Sequence, residues 1–288
     1  MSRVAIVTDS ASDMEPARAA ALGITVVPLV VNFGSESLKA GVDISTDEFW
    51  TRMTAPEAPF ATTAASSPGD FQAAYQQVFA EGAEAIVSIH VAGTLSGTIK
   101  SAEVARGLLP EREIHIVDSM SASMGEGVLA ELGVRLAAMG VSAEEITRVV
   151  TERRDDIGVY LVLDTLEYLK RGGRISGARA AIGTLLALKP IIKISDGLVD
   201  VIERVRTKGK ARERLIELLC TRPVERLSVL HTTNAGVEEF EPELVAHVPG
   251  GIDRSMVTVD LVGPSIGPHL GPGCVGGVAL YAAGSRPA

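Results

Sequence analysis

The segment from residue 85 to residue 119 decides the fold class. It opens with Ala85-Ile-Val-Ser-Ile-His90, an apolar run of strand length. A helical segment over residues 96–108 follows, and Ile114-His-Ile-Val117 forms a second strand-like run that ends at Asp118-Ser119. A strand, a helix and a further strand in this order predict parallel strands joined by a crossover helix.

The rest of the first half repeats this alternation. Val4-Ala-Ile-Val7 is predicted to be a strand, with a helix near residues 14–22 and a strand buried on both faces over Ile24 to Val31. Ser67-Pro68 is an N-cap followed by proline at the first helical position, which predicts the next helix. We therefore predict an α/β fold whose first domain, residues 1–158, is a mostly parallel sheet flanked by helices.

The second half has a different pattern of predicted elements. Pro190-Ile-Ile-Lys-Ile194 and Leu198-Val-Asp-Val-Ile202 flank Ser195-Asp-Gly197, which is a strong signal for an antiparallel hairpin. Material of βαβ type then continues to Leu261. The second domain, residues 159–288, is therefore predicted to be of α+β type with antiparallel strands.

Composition and charge limit the class of protein. The 288 residues carry a net charge of −9 and a pI of about 5.2, which argues against a general nucleic-acid binder. Cys220 and Cys274 have neither CxxC nor Cys/His spacing, so we expect no disulfide framework and no zinc site. No apolar run approaches the roughly 18–20 residues of a membrane span, and the N-terminus shows no signal peptide. A cytoplasmic protein with at most transient membrane contact is expected.

Three polar segments hold most of the chemical interest. Thr63-Ala-Ala-Ser-Ser67 runs into a predicted helix, and Thr94-Leu-Ser-Gly-Thr98 lies between a strand and a helix. Loops of this kind lie at the carboxyl edge of a parallel sheet, where helix starts offer unpaired N–H groups to an anion. The third segment, from Gly263 to Gly273, is a rigid Gly/Pro loop that contains His269. Together the loops can hold one carboxylate or phosphate, although Ser and Thr also act as simple helix caps.

Four blocks of sequence form a pattern. They are Val4-Ala-Ile-Val-Thr-Asp-Ser10, then Leu95-Ser-Gly-Thr98 with Ser101-Ala102, then Leu166-Glu-Tyr-Leu-Lys-Arg-Gly-Gly-Arg-Ile-Ser176 with Leu188-Lys-Pro-Ile-Ile192, and finally Gly267-Pro-His-Leu-Gly-Pro-Gly273. In this order and spacing they resemble the DegV family, the fatty-acid-binding subunits of bacterial fatty acid kinase, over about residues 3–282. The resemblance implies a protein that binds a long-chain fatty acid and presents it to a partner kinase for phosphorylation to acyl phosphate. It implies no catalysis by this chain alone.

The resemblance also assigns roles to residues. It implies that Thr63 and Ser96 hydrogen-bond the fatty-acid carboxylate in a cleft between the two domains, with Gly97 at the helix start and His269 nearby. Family arginines near the head group or on the kinase-facing surface are matched by Arg171, Arg174 and Arg206. No metal is implied, and no cofactor besides the bound fatty acid.

Two departures from the family pattern concern the carboxylate site. The family usually has Thr-Ser-Gln-Pro before Ser-Pro, whereas here Thr63 is followed by Ala64-Ala-Ser66, and Thr62 would replace Thr63 if the register slipped by one. The strand before the Ser-Gly-Thr loop usually ends in serines, whereas here it ends in His90-Val91.

An acyl tail requires an apolar tunnel. The Leu/Ile-rich stretch from Ile182 to Ile194 is a candidate wall of such a pocket in the second domain, although such stretches are more often plain core. Burying each CH₂ group contributes about 0.8 kcal/mol, so a long chain gains on the order of 10 kcal/mol before ordering losses. That is enough for a ligand to copurify.

A serine hydrolase that acts on acyl esters through Ser96 and His269 is the alternative function. The local string Gly93-Thr-Leu-Ser-Gly97 is not the GxSxG nucleophile elbow. Asp9 or Asp118, both at strand ends, would have to serve as the acid.

A nucleotide-dependent enzyme is a weaker alternative. Gly271-Pro-Gly-Cys-Val-Gly276 matches GxGxxG by chance, because too few residues follow it for the helix, strand and acidic partner of a dinucleotide site. A run of basic residues is either a solvated helix face or a docking patch for an acidic partner or a nucleotide phosphate, and the resemblance favours docking of the kinase. The run comprises Arg204, Arg206, Lys208, Lys210, Arg212 and Arg214.

Overall fold

The strands and helices below belong to a computed structural model that describes residues 3–176, 188–233 and 236–285. The strands are β1 (Val4–Asp9), β2 (Thr25–Val27), β3 (Val30–Phe33), β4 (Glu36–Lys39), β5 (Thr62–Ala64), β6 (Ala85–His90), β7 (Glu113–Asp118), β8 (Ile157–Val162), β9 (Lys189–Ser195), β10 (Leu198–Val205), β11 (Val224–His231), β12 (Val257–Leu261) and β13 (Val275–Tyr281). The helices are α1 (Pro16–Leu22), α2 (Thr46–Met53), α3 (Pro68–Ala80), α4 (Thr98–Gly107), α5 (Met124–Ala138), α6 (Ala143–Arg153), α7 (Glu167–Arg171), α8 (Lys208–Leu219), α9 (Val237–Ala246) and α10 (Gly267–Leu270).

Strands β2, β1, β6 and β7 form a parallel sheet in that order. Every residue of β6 is buried, because helices cover both faces of the sheet. On one face α3 and α4 pack through Phe71, Tyr75 and Ala102. On the other face α5 and α6 pack through Leu129 and Ile146. The predicted parallel sheet flanked by helices is confirmed.

Helix α3 begins where the sequence predicts. The Ser67 hydroxyl accepts from the backbone N–H of Asp70 at 3.1 Å, and the Asp70 carboxylate accepts from the N–H of Ser67 at 3.0 Å. This reciprocal capping box fixes Pro68 at the first helical position. Helix α4 begins at Thr98, two residues later than the prediction, so Ser96 lies in the loop before it.

The prediction of a single strand over Ile24 to Val31 is wrong. The chain breaks at Pro28 into β2, which joins the parallel sheet, and β3, which pairs with β4 and β5 in an antiparallel sheet of three strands. Proline lacks the N–H group that a central strand must donate, which accounts for the break. The small sheet places Thr63 on β5, opposite Val31.

The second half forms a sheet of six strands in the order β10-β9-β8-β13-β11-β12. Neighbouring strands are antiparallel except for the parallel pair β11 and β12. The predicted hairpin of β9 and β10 is confirmed, and its turn residues Asp196 and Gly197 have φ values of 53° and 70°. Helices α8 and α9 cover one face of this sheet through Leu215 and Phe240. The predicted α+β character of this half is confirmed.

The two halves share one hydrophobic cluster. Trp50 and Met124 from the first half belong to it together with Ile192 from the second half. Strand β8 begins at Ile157, so the domain boundary predicted between residues 158 and 159 falls inside that strand and stays a prediction.

In the described ranges, no helix is both long and apolar enough to cross a membrane. The first part of the candidate apolar wall, residues 182–187, lies outside the described residues, whereas Ile191, Ile192 and Ile194 are buried on β9.

Candidate functional site

A small cavity lies where the carboxyl edge of the parallel sheet meets the second half of the chain. Strands β1, β2, β6 and β7 each contribute a residue that lies beyond the strand end, namely Ala11, Leu29, Val91 and Ala122. The second half contributes apolar side chains to the opposite wall, namely Leu169, Ile192, Ile194, Val199 and Leu270. The cavity has a volume of about 90 Å³. Its position agrees with the rule that ligands bind at the carboxyl ends of parallel strands.

Thr63 and His269 form a polar end of this cavity. Thr63 Oγ1 and His269 Nε2 are 2.9 Å apart, although 206 positions separate the two residues in sequence. The neighbouring Thr62 is exposed, and its hydroxyl lies 3.5 Å from the side-chain amide nitrogen of Asn32. Thr63 lines the cavity and Thr62 does not.

His269 is held as a neutral imidazole. Burial, and after it the positive charge of Arg174, lowers the pKa of His269 to about 4. Its Nδ1 atom is buried and has no hydrogen-bond partner among the described residues. The ring can therefore donate to or accept from a ligand near neutral pH without carrying charge.

Ser96 and Gly97 line the same cavity as Thr63 and His269. The Ser96 hydroxyl lies 2.8 Å from the hydroxyl of Thr98 and accepts from the Thr98 backbone N–H at 3.3 Å. The structure therefore brings the four predicted residues to one cavity, with Ser96 bonded to the first turn of α4 rather than to His269.

One of the three predicted arginines lies at the cavity. Arg174 lines it, and its Nε atom donates to the backbone oxygen of Leu95 at 3.2 Å, so it supports the Ser96 loop from the second half. Arg171 lies outside the cavity, in an exposed ion pair of 2.8 Å with Glu167. Arg206 is exposed just beyond the end of β10.

The loop that carries His269 is anchored by residues that the sequence did not single out. Ser265 lines the cavity, and its hydroxyl is 2.7 Å from the hydroxyl of Ser10. Asp13 accepts from the backbone N–H of Gly263 at 2.9 Å. Each pair joins residues about 250 positions apart, and no local motif marks such partners.

Asp13 is an unusual anchor because its carboxyl group is buried. Burial raises the pKa of Asp13 to about 7, against the hydrogen bonds from Ser123 and Gly263 that favour the charged form. The nearby acids Asp260 and Asp9 add to the rise.

The geometry does not support a hydrolase that uses Ser96 and His269. The structure gives no hydrogen bond between these two described residues, and the acids suggested for His269 are engaged elsewhere. Asp118 accepts from the backbone N–H groups of Gly93 and Met120, and Asp9 is bonded to His90.

A different set of residues has the geometry of a catalytic triad. Ser88 Oγ lies 2.7 Å from His90 Nε2, and His90 Nδ1 lies 3.0 Å from Asp9 Oδ2. All three side chains are fully buried, and the Ser88 hydroxyl is also bonded to that of Tyr75 at 2.9 Å. A nucleophile must be reached by its substrate, so this arrangement is structural.

Asp9, His90 and Glu126 are also close enough to be considered as a metal site. In the described part of the chain they offer ligand atoms that all lie within 4.8 Å of one another. Both oxygens of Asp9 and both ring nitrogens of His90 already have hydrogen-bond partners. The set therefore forms a hydrogen-bonded network without requiring an ion.

Comparison with known proteins gives one consistent match. A family model described as an uncharacterised protein family, DegV, matches residues 3–282. A DegV domain-containing protein of Streptomyces coelicolor is 37% identical over 283 residues, which cover 96% of this chain and 98% of that protein. A DegV domain-containing protein of Caldanaerobacter subterraneus is 33% identical over 280 residues, with the same coverage of both chains.

Solved structures agree with the sequence matches. A fatty-acid-binding DegV family protein from Thermus thermophilus superimposes with a TM-score of 0.87 at 34% identity and covers 97% of this chain and 100% of its own. DegV of Bacillus subtilis, described as a fatty acid binding protein, gives a TM-score of 0.84 at 28% identity, with 97% and 99% covered. Because the family model and these relatives extend over nearly the whole sequence, the chain belongs to the DegV family.

Proposed function

We propose that this protein binds a long-chain fatty acid, with the carboxylate at Thr63, Ser96, Gly97 and His269. The observation that carries the proposal is one cavity with hydroxyl and imidazole groups at one end and aliphatic side chains along its walls. The similar proteins from Thermus thermophilus and Bacillus subtilis are described as fatty-acid-binding. A protein from Eubacterium ventriosum that is 25% identical is described as stearic-acid-binding.

A buried carboxylate needs several donors, because its desolvation is costly when they are absent. The hydroxyls of Thr63 and Ser96 can donate, and the first turn of the ten-residue helix α4 adds unpaired N–H groups with a partial positive charge. Arg174 adds a full positive charge at the cavity. These groups favour an anion over a neutral head group.

The tail of the ligand requires the cavity to open. At about 90 Å³ the cavity is small beside a long-chain fatty acid, so as it stands it holds the head group and only the start of the chain. We propose that a longer chain separates the apolar side chains of β9 and β10, including Ile194 and Val199, and that its burial against them drives the opening.

We further propose that a partner kinase phosphorylates the bound fatty acid, and that the chain alone turns over neither ATP nor acyl esters. The proposal rests on the family resemblance and on exposed positive charge near the end of β10. In the basic run, Arg212 and Arg214 are paired with Glu239 and Glu203. Arg206 precedes them in sequence and is exposed, which makes it the better candidate of the three for an intermolecular contact.

Calorimetric titration with palmitate or oleate tests the binding site. The variant Ser96→Ala is expected to weaken binding by about 1–3 kcal/mol, which is roughly 5- to 150-fold in Kd, because it removes a donor to a buried carboxylate. The control Ser142→Ala removes a hydroxyl that caps α6 and should leave Kd unchanged. Equal affinity in the two variants, or no binding by the wild type, contradicts the proposed site.

A further inference from the structure

A buried carboxylate lies directly behind the cavity wall. Asp9 ends β1 and its side chain is fully buried. Its Oδ1 atom accepts from the backbone N–H of Ala11 at 2.9 Å, and its Oδ2 atom accepts from that of Val91 at 3.2 Å. Ala11 and Val91 both line the cavity. One side chain therefore fixes the backbone of two wall segments that are 80 positions apart in sequence.

A chain of side-chain hydrogen bonds orients this carboxylate. Tyr75, Ser88 and His90 are linked in that order by contacts of 2.9 and 2.7 Å, and His90 Nδ1 reaches Asp9 Oδ2 at 3.0 Å. If the Ser88 hydroxyl donates to His90 Nε2, the proton on Nδ1 points to Asp9, and every member of the chain is satisfied. Asp9 then accepts three N–H groups, which is the environment of a carboxylate anion rather than of a neutral acid.

A second buried carboxyl group lies close to the first, with ligand atoms of the two groups within 4.8 Å of each other. Glu126 on α5 is fully buried, and its Oε1 atom accepts from the hydroxyl of Thr8 at 2.6 Å. Its Oε2 atom has no hydrogen-bond partner among the described residues. Burial, and after it the negative charge of Asp9, raises the pKa of Glu126 well above its usual range. A neutral Glu126 carries an O–H group that can donate to Asp9, which gives the second oxygen its partner.

We infer that Asp9 is a positioning residue for the fatty-acid site, and that it holds the wall segments at Ala11 and Val91 as an anion by sharing one proton with Glu126. This inference rests on the proposed function. Asp9 does not contact the ligand in this account. It acts through the two N–H groups that it accepts, while the proton on Glu126 removes the repulsion between two adjacent buried carboxylates.

Two substitutions with opposite expectations test the positioning role by titration with palmitate. Asp9→Asn replaces one acceptor oxygen by an NH₂ group, so one wall segment loses its anchor, and we expect Kd to rise about tenfold or more. Glu126→Gln keeps a neutral side chain that can donate to Asp9 and accept from Thr8, so Kd should stay within about twofold of the wild type. If Asp9→Asn and Glu126→Gln both fold and bind palmitate with equal Kd, the positioning role of Asp9 is overturned.

Infrared spectroscopy of the wild type in D₂O tests the shared proton and does not depend on ligand binding. At pH 8.5 we expect the carbonyl band of a protonated carboxylic acid, retained in Asp13→Asn and lost in Glu126→Gln. Absence of the band, or its loss in Asp13→Asn alone, overturns the assignment. Stoichiometric zinc or manganese in the purified protein overturns it as well, because an ion would then occupy the place of the proton. A wild type that shows the band but binds no fatty acid contradicts the proposed function and leaves the shared proton intact.

Discussion

At the scale of single residues, the contribution of Asp13 to the free energy of unfolding depends on pH. Its carboxyl group is buried and its pKa is raised to about 7 by that burial, from an ordinary value of 3.8. A group whose folded pKa is raised contributes full stability below its unfolded pKa, and that stability is lost as pH rises through the folded pKa. The loss therefore begins near pH 4 and is complete above about pH 7.

The variant Asp13→Asn should be more stable relative to the wild type at pH 8 than at pH 4.5. The amide oxygen can still accept from Gly263, and no charge is desolvated at high pH. We subtract the free energy of unfolding of the wild type from that of the variant at each pH. This difference should increase by on the order of a few kcal/mol from pH 4.5 to pH 8, as measured by urea denaturation. Asp47→Asn, an exposed control, should show no such change. A difference for Asp13→Asn that is the same at both pH values contradicts the buried acid.

The polar residues that line the cavity and those that anchor its loops differ in how far the sequence could predict them. Ser96 and His269 lie in recognisable polar loops, and a family pattern marks them together with Thr63. Asp13 escaped notice, and Ser10 was quoted only as the end of a family block, because each acts through a partner about 250 positions away. Burial of an acid depends on elements that meet only after folding, so no local pattern shows it.

At the scale of elements, the periodicity of apolar residues and the helix-capping residues predicted most of the strands and helices. The strand Ala85–His90 and the start of α3 at Pro68 were predicted where the structure has them. The single strand over Ile24 to Val31 was wrong because an apolar run does not reveal that Pro28 sends its two halves into different sheets. The β9–β10 hairpin was predicted, but its contact with the other half was not.

That contact joins the hairpin turn to the loops of the parallel sheet. The backbone N–H of Gly197 donates to the oxygen of Met120 at 2.9 Å, and the hydroxyl of Thr94 donates to the oxygen of Gly197. Ile194 and Val199 flank the turn and line the cavity, while Thr94 lies two residues before Ser96. The turn therefore couples the apolar wall to the loop that carries the serine.

Replacement of Gly197 by alanine should disrupt this coupling. Gly197 has a φ of 70°, and an added Cβ would lie 2.5 Å from Thr94 Oγ1. Gly41 provides a matched control, because its φ is 75° and no atom lies within 4 Å of an added Cβ. Gly41→Ala should lose only the backbone cost of about 1–2 kcal/mol, whereas Gly197→Ala should lose more and bind palmitate more weakly. Equal loss of stability in the two variants, measured by urea denaturation, contradicts the coupling of the turn to the serine loop.

At the scale of the whole molecule, the composition and the alternation of elements predicted the fold class, but not how the two halves pack. The site depends on that packing. Thr63 lies on the small sheet of the first half, and His269 lies after β12 of the large sheet. The family resemblance implies that both residues lie near the carboxylate, whereas the 2.9 Å contact between their side chains is given by the tertiary structure alone.

The proposal that this chain binds the fatty acid and a partner kinase phosphorylates it also concerns the whole molecule. Arg206→Glu should slow formation of acyl phosphate in a mixture with a fatty acid kinase and ATP while leaving Kd for palmitate nearly unchanged, because a charge at the rim mainly affects encounter and docking. Arg135→Glu on α5 makes the same change in net charge at an exposed position away from the cavity and should have no effect on the rate. If Arg206→Glu abolishes palmitate binding but leaves phosphorylation by the kinase unchanged, the proposed division between carrier and kinase is contradicted.

An organic extract of the protein purified from cells tests most directly whether this chain carries a fatty acid. Mass spectrometry of the extract should show about one C14–C18 fatty acid per chain. Removal of that lipid should lower the melting temperature, and added palmitate or oleate should restore it, because a ligand that binds only the folded state stabilises that state. An extract free of fatty acid, together with no thermal shift on addition of either lipid, contradicts the account.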